Sequence, residues 1–236
     1  AGMAGFLLLF LRVSAMETQL FRSSRELVQK RGSFTLLFSN RRRALKYLAC
    51  ILMGVPIWYS VGLLITLSPE IAQAHGIAGL KLSTCFILFQ IGIAAGDLSS
   101  GILSQWLRTR KRVLLGYMSF AVLATVLHYL RVYQGAGLET TSFLMGLGCG
   151  YLSVFVTATS EQFGTNLRVT VTATVTNFMR GAVTLLIPLH QGIERAFGLT
   201  LTEGLIVTGI LVWALALASG IWLPETYGKS LEFEEA

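Results

Sequence analysis

The sequence predicts an all-α membrane protein, a bundle of six transmembrane helices, and three observations predict it. The first is composition. Of 236 residues, 53% are hydrophobic and only 13% charged, where soluble domains carry about 25% charged residues. The second is segment length. Six apolar segments, near 44–68, 81–106, 113–133, 139–160, 169–190 and 201–223, reach the ~20 residues that a helix needs to cross the hydrocarbon core. The third is the placement of positive charge. With the segment before the first span inside, the inside set is Arg12, Arg22, Arg25, Lys30, Arg31, Arg41, Arg42, Arg43, Lys46, Arg108, Arg110, Lys111, Arg112, Arg168 and Lys229. Lys81, Arg131 and Arg195 fall outside, and Arg180 lies within a span. That asymmetry predicts an integral protein of the plasma (bacterial inner) membrane with both termini cytoplasmic.

Taken in order, residues 1–12 hold eleven apolar or small residues before Arg12, too few to cross a bilayer. They read as the C-terminal end of a truncated preceding helix. Residues 13–43 read as a cytoplasmic basic loop, its charges interrupted by Phe34, Leu36, Leu37 and Phe38, with a short helix lying in the interface. Residues 44–223 form the bundle and 224–236 a cytoplasmic tail. In the first span Pro56 is a kink candidate, as is Pro188 in the fifth. Gly92, Gly96, Ser100 and Ser104 recur every four residues along the second span, a spacing that lets helix backbones approach closely. Gly146 and Gly150 share that spacing in the fourth, where the general abundance of glycine in membrane helices is the simpler account. In the fifth, Thr170, Thr172, Thr174 and Thr176 alternate as in a strand. Barrel strands would recur around the chain, and the other segments are continuous apolar runs, so a helix is expected.

Chemistry concentrates at few positions. Arg180 lies twelve residues beyond Arg168, ~18 Å along a helix and near the midplane of a ~30 Å core. Thr176, Asn177, Arg180 and Thr184 share one helical face. A charge at that depth is costly and marks function, and a guanidinium offers bidentate recognition of carboxylate or phosphate. A structural ion pair is the alternative. Asp97, eleven residues before Arg108, lies at a similar depth of ~16 Å. It is a candidate proton carrier, or the partner that neutralises Arg180. His128 and His190 read as wet interfacial histidines, and Trp106, Trp213 and Trp222 as belt candidates. Cys50, Cys85 and Cys149 have no ligand spacing and read as small buried hydrophobes, so no metal and no cofactor are expected. No H-E-x-x-H, G-x-S-x-G or phosphate-loop motif occurs, which speaks against an enzyme. The net charge of +7 belongs to loops between spans, not to a nucleic-acid arm.

Several stretches resemble the major facilitator superfamily. Glu161-x-Phe163-x-Thr165-x-Leu167-Arg168 is similar to the connector between that family's tenth and eleventh helices, with Gly164 where proline is usual. The tail from Leu223-Pro224-Glu225-Thr226 to Gly228-Lys229-Ser230-Leu231-Glu232 resembles the end of sugar-porter-like members. Glu17-Thr18 and Phe21 resemble the element after the sixth helix. Gly101-x-Leu103-Ser104, followed by Arg108, Arg110 and Lys111, resembles the family's loop signature, with Gln105 in place of its acid. The resemblance implies helices seven to twelve of a twelve-helix major facilitator fold, working by alternating access as a secondary transporter. Its implied partners are a small-molecule solute, the lipid bilayer and the missing N-terminal six-helix half. It places Trp58, Tyr59 and Tyr151 on cavity-lining helices, as substrate-binding candidates beside Arg180, Asn177, Thr176 and Thr184. Asp97 becomes the proton-coupling candidate, and Glu161, Arg168, Arg110 and Lys111 cytoplasmic gating charges. The tail favours a sugar or polyol and Arg180 an organic anion, and the reading leans to the anion. A transporter-like receptor that binds a solute without moving it is the alternative from another class.

Overall fold

Asn40 starts the first α-helix among the described residues. Its side chain accepts the Arg42 N–H at 2.9 Å, the usual N-cap arrangement. Helix α1 therefore runs Arg41–Tyr59, and the Arg41–Arg43 triplet opens it instead of closing the loop before it. Arg43 turns back onto the preceding 3-10 turn, Phe34–Phe38, donating to the Leu36 carbonyl at 2.7 Å and the Ser39 hydroxyl at 3.1 Å. Pro56, inside α1, lacks the N–H that would close its turn. Four residues later the helix widens into π-helical turns, Ser60–Ile65.

The computed structural model describes residues 34–228. The expectations for 1–33, including the helix end at 1–12, most of the basic loop and the Glu17-Thr18 element, lie outside the described residues, as does the tail from 229. After α1 come α2 (Ser68–Ala74), α3 (Leu82–Trp106), α4 (Lys111–Gln134) and α5 (Leu138–Cys149). Then follow α6 (Leu152–Glu161), α7 (Thr165–Gly181), α8 (Val183–Phe197) and α9 (Leu201–Trp222), with no strand among the described residues. A capping box at Thr200 and Glu203 opens α9. Five stretches are long and apolar enough to cross a membrane: Arg41–Ile65, Leu82–Trp106, Lys111–Gln134, Leu138–Glu161 and Leu201–Trp222. The chain is thus helical and built for a bilayer. The remaining expected segment, 169–190, occurs as α7 and α8, of 17 and 15 residues.

Small residues hold α3, α5 and α4 together. A Cβ at Gly92 or Gly96 would run into the Phe143 or Leu147 carbonyl of α5, and one at Gly146 into the Phe89 carbonyl of α3. Gly150 meets the Gly96 backbone, and Ser100 donates to the Gly150 carbonyl at 2.9 Å. On its other side α5 presents Gly148 to the Ala121 backbone of α4. Glycine abundance is therefore not what explains Gly146 and Gly150. They lie at backbone-to-backbone contacts that any side chain would force apart. At Gly150 the expected single span 139–160 breaks. Gly150 leaves helical geometry (ψ 55), and the Tyr151 N–H bonds to the Cys149 carbonyl at 2.9 Å. Both halves are apolar, so periodicity carried no sign of the break.

Helix α1 packs on α9 and α7 and supplies much of the core, with Cys50 and Tyr59 fully buried. The three cysteines are buried and free. His128 and His190 are also buried, against the expectation of wet interfacial histidines. His128 Nδ1 lies 2.8 Å from Thr141 Oγ1, and His190 Nε2 lies 3.4 Å from Glu194. Packing encloses both rings, that of His190 against Gly204 of α9, and among the described residues His128 Nε2 and both His190 ring nitrogens have no hydrogen-bond partner.

Candidate functional site

The α3–α4 loop, the α6–α7 connector, the segment after α9 and the start of α1 meet at one end of the bundle. Arg110 and Glu161 pair there at 3.4 Å, each side chain 12% exposed. Glu161 also accepts the Thr226 hydroxyl at 2.6 Å. Arg110 donates to Ser104 Oγ at 2.9 Å, and its guanidinium lies 5.0 Å from the centre of the Tyr227 ring. Glu225 accepts the backbone N–H groups of Arg110 (3.0 Å) and Lys111 (3.2 Å), together with the Thr109 hydroxyl. Those N–H groups open α4, where unpaired donors and the helix dipole favour an anion. Partial burial would raise the Glu225 pKa, but the Thr109 hydroxyl and the N–H groups of Tyr227, Arg110 and Thr226 outweigh it and hold the pKa down at about 2. Lys111 Nζ donates to the Ile221 carbonyl in the last turn of α9 at 2.5 Å, a cation at a helix C-terminus.

The connector is tied in as well. Lys46 donates to the Gln162 carbonyl at 3.1 Å, and Gln162 Nε2 to the Pro224 carbonyl at 2.8 Å. Arg168 Nε donates to the Ser160 carbonyl at 3.1 Å, which folds the connector back on α6. Glu161, Arg110, Lys111 and Arg168 therefore share one end, with Glu161 and Arg110 in direct contact. Sequence reasoning missed Glu225, Thr226, Thr109 and Lys46 as members of this network. The tail run Pro224-Glu225-Thr226 was the available signal, but nothing local says that its glutamate caps a helix 115 residues earlier.

The second cluster is open. On α7 and α8, Asn177, Arg180 and Thr184 are exposed and Thr176 is half-buried. Thr172, Thr174 and Thr176 return their hydroxyls to carbonyls four residues back, and Asn177 Nδ2 donates to the Ala173 carbonyl at 2.8 Å. The helix thus satisfies its threonines internally, which explains how an alternating Thr pattern is accommodated without a strand. The Arg180 guanidinium lies 5.0 Å from the centre of the Trp58 ring on α1. Two glycines bring the helices close on either side of that contact, Gly54 of α1 against Met179 and Gly62 of the π-helical turns against Val183. Among the described residues no carboxylate pairs with Arg180; the ion pairs are Arg110–Glu161 and His190–Glu194.

Trp58 is half-buried and meets Arg180, whereas Tyr59 and Tyr151 lie in the packed core, fully buried. Tyr59 Oη is 2.7 Å from Tyr129 Oη and donates to the Leu205 carbonyl at 2.7 Å. Tyr151 Oη donates to the Met53 carbonyl at 3.0 Å. Asp97 is on α3, and its Oδ1 accepts the Ser153 N–H at 3.0 Å in the first turn of α6. Its carboxylate thus caps the half-helix that the break at Gly150 creates. Asp97 and Arg180 are not partners. Among the described residues no three His, Cys, Asp or Glu side chains are grouped to hold a metal. Compared with family models and with curated proteins, the chain matches none.

Proposed function

We propose that the chain is the second half of a secondary transporter of the major facilitator type, moving a small polar metabolite, with an organic anion as the favoured class. The observation that carries this reading is Arg180: exposed, held on Trp58, and without a carboxylate partner among the described residues. A cation with membrane-spanning helices around it is stable only if it faces water, a solute or another protein. An exposed guanidinium beside Asn177 and Thr184 offers a carboxylate both charge and hydrogen bonds. In this reading α7 and α8 cross together as a sixth span. The backbone supports it, because the Ala182 N–H bonds to Phe178 and the Leu186 N–H to Ala182, both at 2.9 Å, so the ladder runs through the junction. Both ends of the bundle's chain then lie on the side of the Arg110–Glu161 network, and nine described basic residues share it: Arg41, Arg42, Arg43, Lys46, Arg108, Arg110, Lys111, Arg112 and Arg168. That bias favours the cytoplasm for this side.

In the same reading Asp97 couples protons through α6. Protonating its carboxylate weakens the cap on the half-helix and lets α6 move against α3. The network of Glu161, Arg110, Lys111, Arg168 and Glu225 holds one side closed, and rocking against a preceding six-helix half opens it. A thermal-shift panel of carboxylic acids and sugars on the full-length protein, with Arg180→Ala and Arg180→Lys beside it, tests the proposal. Acids are expected to stabilise the native protein, Arg180→Lys to keep part of the shift, and Arg180→Ala to lose it. Equal stabilisation of native protein and Arg180→Ala by acids and sugars alike would sink the anion reading and favour a polyol. Ligand binding without uptake or counterflow in proteoliposomes would replace the transporter by a solute receptor.

A further inference from the structure

The four bases of the α3–α4 loop divide into two pairs. Arg110 and Lys111 turn into the network, one onto Glu161 and the other onto the Ile221 carbonyl. Arg108 and Arg112 are exposed, and neither guanidinium has a hydrogen-bond or ion-pair partner among the described residues. Arg108 adopts a left-handed backbone conformation (φ 51) just past the end of α3. Beside them a groove of roughly 370 Å³ runs between α3 and α4. Arg112, in the first turn of α4, lines it together with Leu103, Leu107, Val113 and Phe120. Ser99 and Tyr117, which also line it, are joined at 2.7 Å, so their hydroxyls are paired with each other and the rest of the wall is apolar. Gly116 lines it, and an added Cβ there would meet no atom within 4 Å, so a larger side chain has open space in the groove to occupy.

The geometry points to a site for one anionic phospholipid, its acyl chain in the α3–α4 groove and its phosphate on Arg112 and Arg108. Three features choose this occupant. The two bases lie where α3 ends and α4 begins, the level at which headgroups meet spans that cross a bilayer. From Arg112 to Phe120 the groove descends eight residues, ~12 Å along the helix, so apolar wall lies directly beneath the charges. Charge then decides between lipids: two unpaired guanidiniums attract a net negative headgroup, and a choline headgroup would set its own cation against them. The exposed Trp106, the last residue of α3, supplies an interfacial anchor two residues before Arg108. The crossing of a bilayer is all that this site requires. It involves neither Arg180 nor transport, so it stands or falls apart from the function proposed above.

Native mass spectrometry of the full-length protein, released from nanodiscs holding equal amounts of phosphatidylglycerol and phosphatidylcholine with matched acyl chains, tests the site. The native protein is expected to retain phosphatidylglycerol over phosphatidylcholine by about tenfold or more, since each base near the surface adds about a factor of five. Replacing both Arg108 and Arg112 by Gln should bring that ratio close to one. Gly116→Phe leaves every charge in place and fills the groove, so it should lower retained phosphatidylglycerol several-fold; Gly116→Leu is the milder version. Arg42→Gln, exposed at the same end of the bundle, should change nothing. Circular dichroism of each variant verifies the helical fold. Equal retention of the two lipids by native protein overturns the site. Full phosphatidylglycerol retention by a folded Gly116→Phe protein also does so, and so does a loss in Arg42→Gln as large as that in the double variant.

Discussion

Arg110 and Arg180 each lie 5.0 Å from the centre of an aromatic ring, Tyr227 in one case and Trp58 in the other. There the likeness ends. Arg110 is nearly buried, paired with Glu161 and bonded to Ser104. Arg180 is exposed and has no acidic partner among the described residues. The first charge is neutralised by its own chain, and its contacts join the α3–α4 loop to the α6–α7 connector and the tail. The second rests on an aromatic face, and among the described residues its donors have no hydrogen-bond partner. A charge satisfied internally stabilises a conformation; a charge left unsatisfied is available to something else.

The largest expected effect is at the satisfied charge. Arg110→Ala leaves Glu161 nearly buried without its cation and should cost about 3 kcal/mol of stability, seen as a lower thermal midpoint in detergent. If it costs no more than Arg180→Ala, the contrast between the two arginines is broken. Next is Tyr59→Phe, which strips partners from Tyr129 Oη and the Leu205 carbonyl. It should cost about 1.5 kcal/mol without altering any solute-induced shift. A lost solute shift would move Tyr59 from the core to the binding face.

Glu225→Gln sharpens the comparison at the satisfied end. It keeps the shape but removes the charge from the α4 N-terminus, at a cost of about 1 kcal/mol because the group is partly exposed and screened. Its pH dependence gives a second reading. The Glu225 pKa is lowered from an ordinary 4.5 to about 2, so its contribution is complete above pH 4.5 and is lost as pH falls through the folded value. A thermal midpoint that declines across that window in native protein should decline less in Glu225→Gln. Identical profiles would remove Glu225 from the tether. Smallest in stability is Arg180→Ala, at about 0.5 kcal/mol for an exposed cation on a ring, while its effect on acid-induced stabilisation is complete.

Much of this fold was legible along the chain because hydropathy is a local property. The apolar segments, the polar breaks between them and the charge bias needed no knowledge of neighbours. The four-residue spacing of Gly92, Gly96, Ser100 and Ser104 also announced a contact face, since the helix repeat alone brings those positions together. Asp97 shows the opposite case. Its depth invited a proton-carrying role or a pairing with Arg180, yet its contact is with the Ser153 N–H. That donor exists only because the helix breaks at Gly150, and the break is hidden in a run of apolar residues on both sides.

By itself the sequence determined that this protein is helical, that it suits a bilayer, and where its charges and small residues fall. Burial of apolar length and the 3.6-residue period are written into consecutive residues. Tertiary structure alone decided which charges are answered. It set Glu225 on the first turn of α4, joined Arg110 to Glu161, and left Arg180 open beside Trp58. Partners of that kind are chosen by which helix ends meet, across separations of 51 to 122 residues, and no local pattern encodes such a meeting.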